Sequence, residues 1–247
     1  LPLYGTVKDI LIGDFNGDGK PDLVVAGASI TSPDLPPGAS NSGIAIALGL
    51  GDGLFSELQS YDAGRDAVAL ASADFNGDGK LDLAVTDKSS GNLVILIGKG
   101  NGAFNAPVTY KSGAGILPLP VAVVVADFNQ DKKPDVVVSN QNDRLLSVFI
   151  NDGQGGLGTP RNIAVSDCYS LLVGDFSGDG QPDLAVNGLF FITFLRGDGA
   201  GNFGPPTQVY VNSASFSSTL PNALRTADYN GDGKPDFAFS GVYGITI

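Results

Sequence analysis

The sequence contains no histidine, methionine or tryptophan, one cysteine (Cys168) and one glutamate (Glu57). A single cysteine excludes an internal disulfide, and without histidine no side chain is placed to activate the thiol, so we expect it to be buried and inert. Histidine is also the most frequent general acid–base residue, and its absence argues against an enzyme. The absence of tryptophan weakens the case for a lectin that holds sugars by aromatic stacking.

Long apolar runs are missing as well. The longest, at residues 121–126 and 189–195, fall well short of the roughly 20 residues of a membrane-spanning helix, so we expect no membrane insertion. The formal net charge of −12 repels phosphates, which excludes nucleic acid as a partner. No signal peptide is visible, which predicts a mature form, a single domain or an intracellular protein.

Aspartate, by contrast, is abundant, and it recurs in a pattern. Residues 13–25 read GDFNGDGKPDLVV, and similar nine-residue loops follow later in the chain. The five loops occupy residues 14–22, 74–82, 127–135, 175–183 and 228–236. Their first aspartates lie 60, 53, 48 and 53 residues apart. A period near fifty residues predicts an array of repeated supersecondary units.

Each loop lies between two short apolar segments, and a third apolar segment, a glycine-rich turn and a fourth segment follow. Four short antiparallel strands per repeat are typical of a β-propeller blade. We therefore predict an all-β fold, with residues 1–247 forming one propeller domain of five blades. Residues 1–4 would supply the last blade's fourth strand and close the ring, which removes an open edge. Part of a seven-bladed propeller is the alternative.

The loops have the chemistry of calcium sites. Ca²⁺ takes six to eight oxygen ligands, drawn from carboxylates, amides and backbone carbonyls. In the first loop these are the side chains of Asp14, Asn16, Asp18 and Asp22 and the carbonyl of Lys20, whose own side chain is expected to point to water. The same positions in the other loops are Asp74, Asn76, Asp78, Lys80 and Asp82; Asp127, Asn129, Asp131, Lys133 and Asp135; Asp175, Ser177, Asp179, Gln181 and Asp183; and Asp228, Asn230, Asp232, Lys234 and Asp236. Up to five Ca²⁺ ions would bring the net charge from −12 to −2.

Two other interpretations of the loops fit the sequence less well. An EF-hand needs a bidentate glutamate at position 12, where this chain has Val25, Val85, Val138, Val186 and Phe239, so an EF-hand is excluded. A metal-free hairpin needs only Asn-Gly or Asp-Gly, and it does not explain aspartate at positions 1, 5 and 9 of all five loops. The sites are not expected to be equal. The third loop has Gln130 and Lys132 in place of glycines, which predicts the weakest site, and Ser177 is a weaker ligand than asparagine.

The unit of apolar strand, DFNGDGKPD, LVV and GDGxF resembles the FG-GAP/VCBS repeat, which occurs in the integrin α-subunit propeller and in many secreted bacterial proteins. The resemblance covers nearly the whole chain. It implies a propeller fold, with Ca²⁺ bound by loop positions 1, 3, 5, 7 and 9.

The functional expectation is a non-catalytic, calcium-rigidified binding or adhesion module, secreted or at the cell surface, with an extracellular protein or glycan as partner. By resemblance, the partner would meet the face opposite the loops, which carries the segments 28–43, 111–120 and 211–222. The side chains most able to contact it are Arg65, Asp66, Arg144, Tyr169, Phe216 and Tyr243. A carbohydrate-binding lectin, a Ca²⁺-assisted polysaccharide lyase and a structural spacer are the alternatives.

Overall fold

The computed structural model describes residues 4–31, 43–188, 191–210, 224–231, 235–241 and 244–246, and these form an all-β fold. The first sheet contains β1 (Tyr4–Gly13), β2 (Asp22–Thr31), β3 (Gly43–Ala47) and, after a small ribbon of β4 (Gly49–Gly51) and β5 (Leu54–Phe55), β6 (Gln59–Asp62). The second sheet contains β7 (Ala67–Ala73), β8 (Asp82–Asp87), β9 (Asn92–Leu96) and β10 (Val108–Lys111).

The third sheet contains β11 (Pro120–Ala126), β12 (Asp135–Asn140), β13 (Leu145–Phe149) and β14 (Arg161–Ala164), and the fourth contains β15 (Ser170–Gly174), β16 (Asp183–Asn187), β17 (Phe191–Leu195) and β18 (Thr207–Tyr210). The fifth contains β19 (Leu224–Ala227), β20 (Asp236–Gly241) and β21 (Gly244–Thr246). Neighbouring strands are antiparallel throughout, and four sheets have four strands each. The predicted four-stranded blades are confirmed, and we number the sheets as blades one to five.

The core lies between the blades. The second strand of each complete blade is an apolar run rather than an alternating one, because both of its faces are covered; every residue of β12 is buried, for example. The fourth strands are more polar, and β18 is exposed along its whole length. The innermost strands β1, β7, β11, β15 and β19 contact one another in succession. The blades therefore form an arc, with apolar clusters in each gap.

Adjacent blades are joined by a repeated contact. After its third strand each complete blade makes a glycine turn, at residues 49–55, 98–104, 151–157 and 197–203. The turn of one blade lies over the aspartate loop of the blade before it. The amides of Gly102, Gly155 and Gly201 donate hydrogen bonds of 3.0, 3.1 and 2.8 Å to the carbonyls of Phe15, Phe75 and Phe128, respectively.

In the same turns, a side chain at the later glycine would come very close to a side chain of the preceding blade. A Cβ atom on Gly102 would lie 2.6 Å from Leu48, and one on Gly155 would lie 3.0 Å from Ile97, both of the preceding blade. A Cβ atom on Gly201 would meet Ile150 at 2.9 Å. All three glycines have φ between +74° and +82°, which glycine adopts without strain. The glycine pattern in the sequence thus encodes how one blade docks on the next.

The ring is not closed within the described residues. Ile10 is 56% exposed, although its equivalents Leu70 and Val123 in blades two and three are buried. The expectation that residues 1–4 complete the last blade is wrong for Tyr4, which pairs with Thr31 inside blade one because β1 extends that far. Residues 1–3 lie outside the described part of the chain. The number of blades stays a prediction.

Candidate metal-binding loops

The first residue of each loop organises the loop backbone. Asp14 accepts hydrogen bonds from the amides of Gly17 (2.7 Å) and Asp18 (3.2 Å) on Oδ1, and from the amide of Gly19 (2.9 Å) on Oδ2. The Gly19 hydrogen bond is the main reason that the pKa of Asp14 lies below its usual value. Asp74 and Asp175 accept the same three bonds in loops two and four, and Asp127 accepts two of them, from the amides of Asp131 and Lys132, in loop three. The five-fold repeat of aspartate at position 1 therefore has a structural role before any metal is considered.

Positions 3 and 5 continue this pattern. Asn16 Oδ1 accepts the amide of Asp18 at 2.8 Å, and Asp18 Oδ1 accepts the amide of Lys20 at 2.9 Å. Asn76 with Asp78, and Asn129 with Asp131, repeat the arrangement in the second and third loops. Such short-range aspartate and asparagine bonds to the backbone shape tight turns.

Position 9 is the buried member of the first four loops. Asp82 is fully buried at the start of β8. Its Oδ2 accepts the amide of Phe75 at 2.9 Å, and its Oδ1 accepts the amide of Gly98 at 2.7 Å. Asp22, Asp135 and Asp183 make the same two bonds in their own blades. This aspartate thus ties the loop to the glycine turn of its own blade.

The buried carboxylate at position 9 is also destabilised in its charged form. Burial raises the pKa of Asp82, and the nearby charges of Asp78 and Asp74 raise it further, against the two backbone hydrogen bonds. Asp135 in the third loop has a raised pKa for the same reasons, with Asp131 and Asp127 as its charged neighbours. Three carboxylates in one loop repel each other, and a bound cation would relieve that repulsion.

The backbone explains the glycines of the loops. Gly17 and Gly19 have φ of +76° and +79°, and loops two and four repeat these values. In the third loop Gln130 and Lys132 are forced to φ of +61° and +67°, a region that costs a side-chain-bearing residue free energy. The strain expected from the sequence is therefore present. The ranking of the third site as the weakest stays a prediction.

The donor atoms fit Ca²⁺ in kind, since carboxylate, amide and carbonyl oxygens are its ligands. Within the described residues, however, no three acidic side chains already converge as a metal-ion site. The carboxylates instead accept hydrogen bonds from backbone amides. An ionised carboxylate has about four lone-pair sites, so these bonds leave capacity for a cation. Positions 1, 3, 5, 7 and 9 would hold the ion.

The lysines at position 7 are partly exposed and lie near the position-5 carboxylates. The Nζ atoms of Lys20, Lys80 and Lys133 lie 3.8, 3.3 and 3.7 Å from Oδ2 of Asp18, Asp78 and Asp131. In the fifth loop Asp228 accepts the amide of Gly231, and Asp236 accepts the amides of Tyr229 and Asn230. Asp232 and Lys234 lie outside the described residues.

The fourth loop also contacts an arginine that the sequence analysis missed. Arg196, at the end of β17, donates from Nε and Nη2 to Oδ2 of Asp179 in the fourth loop, at 3.1 and 2.8 Å. The Arg196 hydrogen bond is the largest cause of the lowered pKa of Asp179. The only signal in the sequence was a charged residue where the other blades have Leu48, Ile97 and Ile150.

The candidate partner residues lie at the other end of the blades. Arg65 and Arg144 are exposed in turns, and Tyr169 is partly buried beside Asn187, whose carbonyl accepts its amide at 2.9 Å. Asp66 lines a cavity of about 470 Å³ that also contains Lys8 and Lys88. The two lysines come from different blades, so sequence reasoning could not find them. Phe216 and Tyr243 lie outside the described residues.

Two further expectations can be compared with the structure. Cys168 is fully buried, so the expected burial of the thiol is confirmed, and burial raises its pKa to about 12. In the part of the chain that is described, no helix has the length and hydrophobicity needed to cross a bilayer.

Successive antiparallel sheets with an acidic loop at the same edge define a repeat protein built from β-propeller blades. A family model described as FG-GAP-like repeat matches residues 14–85, 74–138 and 127–186, which together make up more than half of the chain. The chain therefore belongs to the FG-GAP-like repeat family, as the resemblance indicated.

Curated relatives share part of this chain. Bovine (Bos taurus) phosphatidylinositol-glycan-specific phospholipase D is 27% identical over 221 residues, covering 76% of this chain and 26% of the bovine protein. The human (Homo sapiens) protein of the same name is 26% identical over 227 residues, covering 78% of this chain and 26% of the human protein. The chain thus spans about a quarter of the length of these relatives.

Solved structures share the fold. BBS1N, in complex with ARL6DN, has a TM-score of 0.62 at 14% identity, covering 96% of this chain and 63% of BBS1N. An Agrocybe aegerita lectin that recognises non-reducing terminal N-acetylglucosamine has a TM-score of 0.60 at 19% identity, covering 94% and 60%. The exotype rhamnogalacturonan lyase YesX has a TM-score of 0.55 at 17% identity, covering 100% and 48%. At these identities the likeness shows the fold alone.

Proposed function

We propose that this chain is a non-catalytic, calcium-binding propeller module that acts outside the cell, secreted or at the cell surface, by binding a protein or glycan partner. The observation that best supports it is the repeated oxygen-only loop, in which a buried aspartate such as Asp82 links the loop to its own blade. Bound Ca²⁺ would neutralise the crowded carboxylates. The residues of the chain would hold each loop in one shape and connect it rigidly to the next blade.

The contact between neighbouring blades would carry this rigidity from one loop to the next blade. Phe75 follows the first aspartate of loop two; its amide is held by Asp82, and its carbonyl is held by Gly155 of blade three. A cation that rigidifies loop two therefore also rigidifies the junction with blade three. Sites with these few ligands suit calcium affinities of about 10⁻⁴–10⁻³ M, as in extracellular modules.

The test is thermal unfolding of the full chain in 5 mM CaCl₂, in MgCl₂ and in EGTA. At 5 mM, calcium is about 5 to 50 times a dissociation constant of 10⁻⁴–10⁻³ M, so each filled site adds about 1–2 kcal/mol. We therefore expect calcium, and much less magnesium, to raise the melting temperature by several degrees. Asp78→Asn should reduce that rise. Asp52→Asn makes the same chemical change at an exposed turn outside the loops and should not. A melting temperature that is the same in calcium and EGTA would refute the calcium proposal.

A partner is proposed to bind the face opposite the loops, at the cavity lined by Lys8, Asp66 and Lys88. A glycan partner is favoured by the fold shared with a lectin, which makes a lectin the second candidate function. A glycan array that includes N-acetylglucosamine-terminated sugars tests it, with and without calcium. Lys88→Ala should abolish retention of a glycan bound at this cavity, whereas Lys99→Ala, at the loop end, should not.

The absence of catalysis is itself part of the proposal, because the fold also occurs in a rhamnogalacturonan lyase. Incubation of the chain with rhamnogalacturonan and other uronate-containing polysaccharides should yield no unsaturated product. Calcium-dependent formation of such a product by the purified chain, lost on substitution of Asp66, would replace the binding module with an enzyme.

A further inference from the structure

The fourth loop differs from the others through a residue that lies outside it. Arg196 occupies the position at the end of the third strand where blades one to three have Leu48, Ile97 and Ile150. Those apolar side chains pack under the glycine turn of the following blade. No glycine turn covers Arg196 within the described residues. A cavity of about 290 Å³ lies there, lined by Phe176, Phe194 and Phe237 among others.

The arginine turns back onto its own loop. Two of its N–H groups reach the same oxygen of Asp179, at 2.8 and 3.1 Å, and its charge also acts on Asp183 and Asp175. It is therefore coupled to the aspartates at positions 1, 5 and 9 of this loop. The position-7 lysines of the first three loops approach one carboxylate each, at 3.3 to 3.8 Å.

The side chains at positions 3 and 7 of the fourth loop also differ from those of the first three loops. Ser177 replaces asparagine at position 3, and its amide joins that of Phe176 on Oδ2 of Asp183, at 2.8 and 2.9 Å. With the amide of Gly197 on Oδ1, Asp183 accepts three hydrogen bonds. Position 7 is Gln181, whose side chain accepts a hydrogen bond from Gln130 of loop three.

We propose that Arg196 is a built-in counter-ion of the fourth loop, so that residues 175–183 bind Ca²⁺ more weakly than the first two loops and keep their shape without it. A guanidinium remains charged at all ordinary pH values and matches a carboxylate in geometry, so it competes with a cation at Asp179. This proposal rests on the proposed calcium binding of the other loops.

Site-resolved calcium titration of the ¹⁵N-labelled full chain tests this, by following the amide signals of Gly19, Gly79 and Gly180 at position 6 of loops one, two and four. We expect the calcium concentration at the titration midpoint to be at least tenfold lower for the Gly19 and Gly79 signals than for the Gly180 signal. Arg196→Leu restores the apolar residue of blade one and should lower the Gly180 midpoint about tenfold. Arg196→Gln, which keeps a polar side chain of similar reach without the charge, should act in the same direction if the leucine variant is unstable.

Lys80→Leu is the matched control, since it removes a single, longer cation contact from loop two; it should move the Gly79 midpoint less than threefold. Three outcomes would overturn the proposal. Gly180 could titrate together with Gly79 in the unmodified chain, or neither Arg196 variant could move its midpoint. If no loop signal responded to calcium, the proposed function itself would fall, and this inference with it, whereas the first two outcomes refute the counter-ion alone.

Discussion

The amide of Gly155 donates a 3.1 Å hydrogen bond to the carbonyl of Phe75, and this bond joins the glycine turn of blade three to the aspartate loop of blade two. The two residues are 80 positions apart in the sequence. Phe75 is fully buried beneath this turn. The conformation of loop two and the packing of blade three against it are therefore coupled.

Asp82→Asn should destabilise the chain by about 2–3 kcal/mol, because an asparagine offers one oxygen where two buried amides now each have an acceptor. Urea unfolding in EGTA measures this effect apart from any metal. Asp52→Asn, the same change at an exposed position, should stay within about 0.5 kcal/mol of the unmodified chain. Equal effects at the two positions would contradict the role of Asp82 in linking the loop to the glycine turn of its blade.

Gly102→Ala and Gly53→Ala separate backbone strain from blade docking. The two glycines have φ of +79° and +75°, so both substitutions pay a similar conformational cost. An added Cβ meets Leu48 at 2.6 Å at Gly102 and meets nothing within 4 Å at Gly53. Overpacking adds about 1–3 kcal/mol, and we expect that excess for Gly102→Ala in urea unfolding. Equal losses at both positions would mean that the turn does not dock as described.

Lys132→Gly should stabilise the third loop. The left-handed backbone costs a side-chain-bearing residue about 1–2 kcal/mol, while glycine loses about 0.5–1 kcal/mol through extra freedom of the unfolded chain. A net gain of about 0.5–1 kcal/mol is expected by urea unfolding. The reciprocal change, Gly79→Lys in the second loop, should cost a similar amount. A loss of stability on Lys132→Gly would show that the lysine makes a compensating contact.

Cys168 should not react with a thiol reagent at pH 8 in the folded chain. Its pKa is raised to about 12 by burial, so the thiolate that performs the attack is scarce at that pH, and the buried sulfur is inaccessible. In 6 M guanidinium chloride one thiol per chain should react at the ordinary rate. Rapid labelling of the native chain, measured by mass spectrometry, would indicate local opening near Val165 and Leu171, which share its cluster.

Much of the fold could be predicted because it depends on interactions between residues that are close in the sequence. Aspartates at fixed spacing cap the amides of their own loop, as Asp14 does for Gly17 and Gly19, and glycines stand where φ is positive. These interactions span fewer than ten residues, so the residue pattern alone reveals them. The same holds for the apolar runs of the second and third strands.

The errors have a physical cause too. Tyr4 was assigned to the last blade, because the pattern of a first strand does not state how long that strand is; β1 continues to Tyr4 by pairing with Thr31. Arg196 was missed, because sequence spacing gives no measure of how near its guanidinium lies to Asp179.

By itself, the sequence determined the four-stranded blade, the position of the aspartate loops and the kind of atom that lines them, because turn chemistry and strand periodicity act over a few residues. Only the tertiary structure decided that Gly155 covers Phe75, that Arg196 faces Asp179 and that Lys8, Asp66 and Lys88 share one cavity. The contact of Gly155 with Phe75 and the cavity of Lys8, Asp66 and Lys88 each join two blades. The contact of Arg196 with Asp179 lies within one blade, at a position that no glycine turn covers within the described residues. Their geometry follows from how whole sheets stack, which is a sum over many packed side chains rather than a property of any one repeat.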